Sequence, residues 1–453
     1  MTLNVVEIPT NVVRHLDLYR QDWDDFVAAQ ASNGVATNPV NELRNVGWRE
    51  FERVGFPIHR RGNELWKYTD LRGIDRAEFR SGSPSKTFDR NELAAKIPLP
   101  SEWQNLVFVD GRLDRSHSDS VGQQAGVRFD SVSGFADLGK LAQCADNAFV
   151  SLNSAFLDDG IFVDVDTGVS ASKPIHLVFV TTGLDDGHRA VYPRVAASIG
   201  PGAEAMLIET HVSMSDAAHL SAPVIEISLA EDASLKHYRA QLDNENSYHF
   251  ATTRVKQSSG SNYQSSSFSV GCSIGRNDVF THLAGEHAVS TLHGVYLTTN
   301  RQHQDNEIST THSAPHCTSD QYYKGILSGR SRAVFSGKIT VERGAQKTDA
   351  SQKDLNLLLS HGAEVDTKPS LEIYADDVKC GHGATAGYVD EDTLFYLQSR
   401  GVDYDTAQAM LIRGFAAEII SEFGDDTLRE FLENQLDELM PALQIASDTI
   451  GTA

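Results

Sequence analysis

Alternating apolar and polar residues dominate the middle of the chain. From about residue 149 onward, segments of five or six residues alternate in this way, which is typical of β-strands with one buried and one solvated face. These segments are 161–165, 175–180, 195–199, 205–209, 224–229 and 234–238, and an earlier one, 106–113, contains an Asp-Gly turn. Because no helical segments of 10–15 residues separate the strands, the pattern disfavours an alternating β-α-β sheet.

Turns of similar composition recur between the strands. They include 200–203, 230–233, 260–262, 285–288, 344–346 and 362–364, with a loose spacing of roughly 20 to 30 residues. A sandwich, a propeller and a coiled solenoid all fit such a chain. The short repeat lacks the four-strand rhythm of propeller blades and so favours a β-solenoid. Its coils would stack about 4.8 Å apart and leave two ends that need covering.

Both ends of the chain have helical periodicity, and helices there would cover the ends of the solenoid. The N-terminal pattern runs over 11–56, and the C-terminal pattern begins near residue 390 with stripes up to Pro441. Between the first helices and the strands, the aromatic segment 64–71 is expected to pack the helical region onto its neighbour. We expect an N-terminal helical domain over 1–103, a solenoid core over 104–387 and a C-terminal helical domain over 388–453.

Composition and charge exclude several functional classes. The 453 residues carry a formal charge of −23, which argues against nucleic acid as a partner. No apolar run approaches the roughly 18 residues that a membrane span needs, and the first residues lack the pattern of an export signal. The four cysteines are widely spaced and form no C-x-x-C pair, so we expect a protein of the reducing cytoplasm without membrane attachment.

Common catalytic motifs are missing from the sequence. It contains no Walker A loop, dinucleotide fingerprint, nucleophile elbow or H-E-x-x-H pair, so another chain would have to hydrolyse any ATP involved. The segment from His312 to Cys317 contains possible metal ligands, but Pro315 favours a turn between coils. The glycine-rich run 324–339 is expected to form a coil with a solvated basic face.

Cys380 and His382 form the most informative pair. On the last strand, positions i and i+2 would project to the same face, and thiolate with imidazole suits iron or zinc. Gly381 and Gly383 would let a second backbone come close. Two ligands do not complete a tetrahedral site. The residues alone therefore leave two readings open: a metal site completed from elsewhere, or a buried cysteine beside a hydrogen-bonded histidine.

The stretch 306–420 resembles the SufB/SufD family of iron–sulfur cluster assembly proteins. The segment 64–69 is similar to the family's N-terminal marker, and the scarcity of cysteines resembles the SufD branch more than SufB. The motifs that carry the resemblance are Tyr322-Tyr323-Lys324-Gly325, Phe335-Ser336-Gly337-Lys338-Ile339, Pro369-Ser370-Leu371-Glu372-Ile373, Asp376-Asp377-Val378-Lys379-Cys380-Gly381-His382-Gly383-Ala384-Thr385 and Phe395-Tyr396-Leu397-Gln398-Ser399-Arg400-Gly401.

The resemblance implies a right-handed parallel β-helix flanked by helical domains, and a non-catalytic scaffold subunit. It implies pairing through the β-helix with a SufB-like paralogue, or with a second copy when this chain is alone. His382 and Cys380 would be metal ligands at that interface for a transient iron–sulfur cluster or iron, with none held stably by the single chain. A SufC-type ABC ATPase would dock on the C-terminal helices through Leu394, Leu397, Met410, Leu411 and Phe415.

Two other functions remain open at this stage. A carbohydrate-active β-helix enzyme would group carboxylates or basic residues on one exposed face, and most such enzymes act outside the cell. A stand-alone metal-binding protein would retain metal as a purified single chain, whereas half of a shared site should bind weakly alone.

Overall fold

The computed structural model describes residues 13–32, 39–57, 63–77, 79–82, 88–120, 124–184 and 187–444. The helices in these ranges are α1 Val13–Ser32, α2 Pro39–Val54, α3 Arg72–Arg76, α4 Arg90–Ala94, α5 Ala148–Ala155, α6 Glu391–Ser399, α7 Tyr404–Ile420 and α8 Asp426–Gln444. The strands are β1 Phe79–Arg80, β2 Gln104–Val109, β3 Arg112–Leu113, β4 Val127–Ser131, β5 Gly160–Val165, β6 Ile175–Thr181, β7 His188–Val191, β8 Arg194–Ile199, β9 Glu204–Ser213, β10 His219–Ser221, β11 Val224–Leu229, β12 Ser234–Asp243, β13 Tyr248–Gln257, β14 Asn262–Gly271, β15 Ile274–Leu283, β16 Val289–Thr298, β17 His303–His312, β18 Thr318–Leu327, β19 Arg332–Val341, β20 Asp349–Leu358, β21 Glu364–Ile373 and β22 Lys379–Tyr388.

Two long sheets wind into a parallel β-solenoid of about eight turns, which confirms the predicted fold class. Sheet A runs in the order β21-β19-β17-β15-β13-β11-β8-β5-β4, and sheet B in the order β22-β20-β18-β16-β14-β12-β9-β6-β2-β3. Each long strand from β5 onward pairs in parallel with the strand one coil away, whereas β2–β3 and β4–β5 are antiparallel pairs. The register places Tyr248 beside Ile274, 26 residues on, and Arg332 beside Glu364, 32 residues on. The coil length therefore lies at the upper end of the predicted repeat of roughly 20 to 30 residues.

The alternation that predicts the strands also builds the solenoid interior. Inward positions of the early coils carry aliphatic residues such as Val195, Ile225 and Ile227, which join one continuous core cluster. Later coils also bury polar side chains: Gln352 donates through Nε2 to Gln321 Oε1 (2.6 Å). A buried amide costs less when it finds a hydrogen-bond partner in a neighbouring coil, as these two side chains do.

The N-terminal helices and the aromatic segment pack on the outside of sheet A. Trp23 of α1 stacks on Trp48 of α2 with ring centroids 5.4 Å apart. Trp66 lies against Phe149 of α5 and Phe250 of β13, at 5.7 and 6.3 Å between centroids. These contacts confirm the predicted docking role of the aromatic segment.

The C-terminal helices pack along the side of the solenoid and not over its end. Ile412, Ala416 and Phe423 join a buried cluster with Tyr238 and Phe268, which project outward from sheet B. The expectation that these helices cover the C-terminal end is therefore wrong. Sheet B carries apolar residues on its outer face as well, and burying that face offers the helices more apolar contact than one coil end would.

The helices α1, α2, α6 and α7 lie within the patterns that predict them. Pro441, expected just beyond the last helix, lies inside α8. The expectation that strand-like segments begin at about residue 149 is wrong there, because Ala148–Ala155 form the buried helix α5. The first solenoid strand begins at Gln104 and the last ends at Tyr388. Within the described residues, no helix is both long enough and apolar enough to cross a membrane.

Candidate functional site at the open end of the solenoid

The last coil of the solenoid is open on one side. In the described part of the chain, β21 pairs only with β19, and β22 pairs only with β20. Most residues of β22 are exposed, whereas equivalent positions one coil earlier alternate between buried and accessible. An uncovered strand also presents unpaired backbone N–H and C=O groups along its free edge.

Cys380 lies on β22 at a position that faces the interior. The register pairs it with Ala350 of β20, which is buried, and its side chain packs against the apolar cluster formed with Ile339, Val341 and Ala375. Burial, and after it the Asp349 carboxylate, raises the pKa of the Cys380 thiol. The isolated chain therefore holds this cysteine as a half-buried, neutral thiol.

His382 lies two residues further along the same strand and is exposed. The register pairs it with Gln352, which is buried and hydrogen-bonded to Gln321 in the coil below. Because inward positions recur every second residue, His382 projects to the same face as Cys380, roughly 7 Å away along the strand. The imidazole thus lies above this fixed polar layer and projects into the open end of the solenoid.

The residues around His382 are small. A Cβ atom added to Gly381, Gly383 or Gly387 would meet nothing within 4 Å. β20 pairs with one edge of this strand, but no atom of the described residues lies within 4 Å on the side where these Cβ atoms would project. Together with Ala384 and Ala386, these glycines keep large side chains out of the open end, which is therefore accessible to a second molecule.

The neighbouring acidic residues do not provide further metal ligands beside Cys380 and His382. Asp377 forms an ion pair with Lys347 in the preceding turn, and Asp376 is exposed. Among the described residues, no three His, Cys, Asp or Glu side chains gather as a metal-binding group. The geometry therefore supplies two ligands on one face, a soft thiol and an imidazole, with room for more from outside.

Two other segments have the structural roles of coil and turn. His312 ends β17, and the residues up to Cys317 form the turn into β18, as predicted. The expected solvated basic face of 324–339 is wrong at Lys324, whose side chain is only 2% exposed. Lys324 Nζ donates to the Phe415 carbonyl oxygen of α7 (2.9 Å), and its ammonium lies 4.3 Å from the Phe415 ring centroid.

The five residues expected to dock an ATPase differ in accessibility. Leu394 is buried, Met410 is 49% exposed, and Leu397, Leu411 and Phe415 are half-buried. The most exposed apolar side chains on these helices are Phe395 (72%) and Tyr396 (57%) of α6, which the sequence reasoning did not select. Four consecutive apolar residues, 394–397, cannot all lie on the buried face of one helix, and this is the signal that would have identified them.

Comparisons with known proteins identify relatives that cover most of the chain. The family model for the SufBD core domain of SUF-system FeS cluster assembly matches residues 179–415, and that for the SufBD N-terminal region matches 13–177. The iron–sulfur cluster assembly protein SufD of Escherichia coli is 33% identical over 93% of this chain and 96% of its own length. The chloroplastic protein ABCI7 of Arabidopsis thaliana is 29% identical over 93% and 90% of the two chains.

A cyanobacterial relative extends the same pattern. An iron–sulfur cluster assembly SufBD family protein of Synechocystis is 31% identical over 80% of this chain and 83% of its own. The matches span both helical ends and the solenoid, and they favour an assembly protein over a β-helix enzyme. The chain belongs to the SufB/SufD family of iron–sulfur cluster assembly proteins and is SufD-like.

Proposed function

We propose that this protein is a non-catalytic scaffold subunit whose open solenoid end pairs with a SufB-like paralogue, or with a second copy when it is alone. The observation that carries the proposal is the position of His382. It is an exposed imidazole on an inward position of an uncovered strand, on the same face as Cys380. An end that is closed in neither chain alone would become a shared site when two ends meet.

The backbone of the last coil supports pairing at this end. The free edges of β21 and β22 offer unpaired hydrogen-bonding groups, which a strand from a partner can satisfy. Small residues from Gly383 to Gly387 would let the partner's backbone approach closely. We infer that the partner contributes the remaining ligands, because two ligands do not saturate iron or a cluster.

Iron, or a nascent cluster, is the cargo of this site. The imidazole of His382 can bind a metal through a ring-nitrogen lone pair. The Cys380 thiol must first lose its proton, and its raised pKa makes that step depend on the metal. His382 is therefore the principal ligand of this chain, and Cys380 contributes only once metal has entered the site.

The C-terminal helices are the proposed dock for a SufC-type ATPase. Phe395, Tyr396 and Met410 present apolar surface on α6 and α7 that the solenoid does not cover. The buried stripe of α7, which includes Ile412 and Ala416, attaches the pair to sheet B. We place the assembly in the cytoplasm, since the four cysteines are all free thiols.

The site is tested by anaerobic co-purification with SufB-type and SufC-type partners, followed by cluster spectroscopy. We expect His382→Ala to leave the complex assembled but to impair cluster formation severely, and Cys380→Ser to impair it less. His287→Ala, at an exposed turn far from the last coil, is the matched control. Normal cluster formation by the His382→Ala complex would exclude the ligand role.

The docking surface needs its own experiment. Deleting the C-terminal helices would also strip Phe423 and Leu428 from the core, so point substitutions are more informative. We expect Phe395→Ala combined with Met410→Ala to weaken capture of the ATPase while the chain still pairs with its paralogue. Unchanged capture would place the ATPase elsewhere.

A further inference from the structure

A buried carboxyl group lies on the outer face of sheet A, next to the aromatic segment. Glu307 of β17 is 8% exposed, and it projects outward because its neighbour Ile308 belongs to the solenoid core. Its Oε2 atom has no hydrogen-bond partner among the described residues. Glu307 lies outside the last coil and the C-terminal helices, so its role is independent of the proposed scaffold function.

The carboxylates around Glu307 outnumber the cations. Asp278 of β15 is its register neighbour, and Asp305 lies two residues before it on the same face. Arg276 forms an ion pair with Asp305, whereas its Nη2 atom is 3.7 Å from Glu307 Oε2. Asp278 is paired with Arg254 at 3.1 Å. Two guanidinium groups therefore face these three carboxylates, and Glu307 has the longest contact of the three.

Burial makes the negative charge of Glu307 costly. It raises the pKa of this carboxyl group to about 7; Arg276 opposes the shift, and Asp278 and Asp305 add to it. The Ser336 hydroxyl on the next coil favours the charged form, but by less than burial disfavours it. Glu307 is thus a carboxyl group that exchanges its proton near neutral pH.

The aromatic segment packs on the same network of charges. The guanidinium carbon of Arg276 lies 4.1 Å from the Trp66 ring centroid, and its Nη1 atom donates to the backbone oxygen of Leu65 (3.0 Å). The Thr69 hydroxyl donates to the Asp305 carboxylate. The contacts that hold the segment therefore involve the same residues that share charge with the buried carboxyl group.

Burial of this face decreases away from the segment. Arg276 and Asp305, on the side that carries the segment, are 4% and 1% exposed. Phe280 and Ser309, on the other side of Glu307, are only half-buried. The segment therefore supplies the cover that keeps water from Glu307.

We propose that the aromatic segment is a proton-dependent latch, which stays on sheet A while Glu307 holds a proton and loosens when that proton leaves. When the segment lifts, water reaches the carboxyl group, and its pKa returns toward the ordinary value of 4.5. The docked state therefore binds the proton more strongly than the open state. The stability that this proton gives to docking is fully present below about pH 4.5 and is lost as the pH rises through about 7.

Other ionisable groups face this network from the neighbouring elements. Around the sheet they are Asp146, Arg254, His303, Asp366 and Lys368, and in the segment they are Glu64, Lys67 and Asp70. His303 shares a hydrogen bond with Thr69 (3.0 Å), and histidines commonly titrate near neutral pH. The effect of His303 must therefore be separated from that of Glu307 by experiment.

Hydrogen exchange of peptides from 63–77 tests the latch, measured on the full chain from about pH 5.5 to about pH 9 and corrected for intrinsic rates. With pKa values of about 7 in the docked state and 4.5 in the open state, the opening constant should be about tenfold larger at pH 8 than at pH 6. Peptides from β18 in sheet B should not lose protection over the same interval.

Two variants change the proton site itself. Glu307→Gln keeps the shape of the side chain but has no proton to lose, so we expect at least roughly tenfold higher protection than in the wild type at pH 8 and less than about twofold change between pH 6 and 8. A residue that served only to pair with Arg276 would give the opposite result, a loss of protection. Ser336→Ala removes a hydroxyl that favours the charged form, so the pH above which the opening constant stops rising should move upward.

Two control variants should keep the pH dependence. Glu372→Gln breaks an exposed ion pair with Lys338 on the last coils of sheet A. His303→Gln removes the imidazole that contacts Thr69 and leaves Glu307 intact. We expect both variants to retain the difference of about tenfold between pH 6 and 8.

Unchanged pH dependence in Glu307→Gln, or lower protection of that variant at pH 8, would overturn the latch. So would a wild-type segment with the same protection at both pH values, or a pH dependence that disappears in His303→Gln. If Glu307→Gln fails to fold, Ser336→Ala decides the question, because an unshifted pH profile in that variant would overturn the latch as well.

Discussion

Removing the indole of Trp66 should detach the aromatic segment from the solenoid. The side chain is buried against Phe149 and Phe250, and the guanidinium of Arg276 lies 4.1 Å from its ring centroid. Replacing a buried tryptophan by alanine costs about 3–5 kcal/mol through lost burial and the cavity left behind. A desolvated cation–π contact adds about 1–2 kcal/mol.

Not all of the interactions around Trp66 are lost with it. Arg276 keeps its ion pair with Asp305, and it still donates to the backbone oxygen of Leu65 (3.0 Å), so no buried charge is stranded. We therefore expect about 4–7 kcal/mol, roughly three to five decades in the opening equilibrium of the segment. Trp66→Phe, which keeps much of the apolar contact, should cost about 1–2 kcal/mol.

Hydrogen exchange measured by mass spectrometry on peptides from 63–77 tests this expectation. Leu65→Ala is the matched control, because the neighbouring Leu65 is 57% exposed and should matter little. Equal protection in Trp66→Ala and Leu65→Ala would refute the docking argument. A loss of protection throughout the solenoid would show that the segment belongs to the global folding unit instead.

Two further predictions concern the interior and the attachment of α7. Lys324→Ala should loosen α7 by about 2 kcal/mol, since it removes the stem packed under Phe415 and a charged hydrogen bond. Lys347→Ala, at an exposed ion pair away from α7, is the control. Exchange protection of α7 should fall in the first variant and stay unchanged in the second. Burial lowers the pKa of His249 and His312 to about 4, below the value of about 6.5 in the unfolded chain. The unfolded chain therefore binds more protons between these values, and stability should fall as pH drops from 6.5 toward 4, by about 2 kcal/mol for each imidazole at pH 5. Urea titrations of His312→Gln should show a correspondingly shallower loss, and an unchanged slope would contradict this origin.

The strands could be predicted because their alternation survives in the fold. Each predicted segment from 161–165 to 234–238 lies within an observed strand, since the inward positions of these early coils carry apolar residues. The shared face of Cys380 and His382 followed from the same period of two. The different exposure of the two residues could not be predicted from this period. It arises because Ala375 and Ile339 pack around Cys380, whereas the coil ends before anything covers His382.

Other features depend on contacts between distant segments. Nothing local to Lys324 tells that Phe415, 91 residues later, will cover it. Likewise, the stripes of α7 and α8 predict a buried face without indicating which surface buries it. Tyr238 and Phe268 project outward from strands whose inward faces are also apolar, so sheet B has a second apolar face. The helices pack on that face, and the end of the solenoid therefore stays open.

This arrangement brings the proposed dock and the proposed cargo site onto one sheet. Lys324 on β18 holds α7 against the outer face of sheet B, and His382 on β22 projects from the inner face two strands away. At about 4.8 Å between strands, the separation across the sheet is only about 10 Å. The helices are also joined to β22 directly, because α6 begins at Glu391, three residues after β22 ends at Tyr388. If an ATPase moves the C-terminal helices, the displacement can therefore reach β22 through the chain itself and through the pairing of β18, β20 and β22. Sheet A, which holds the N-terminal helices, lies outside both routes.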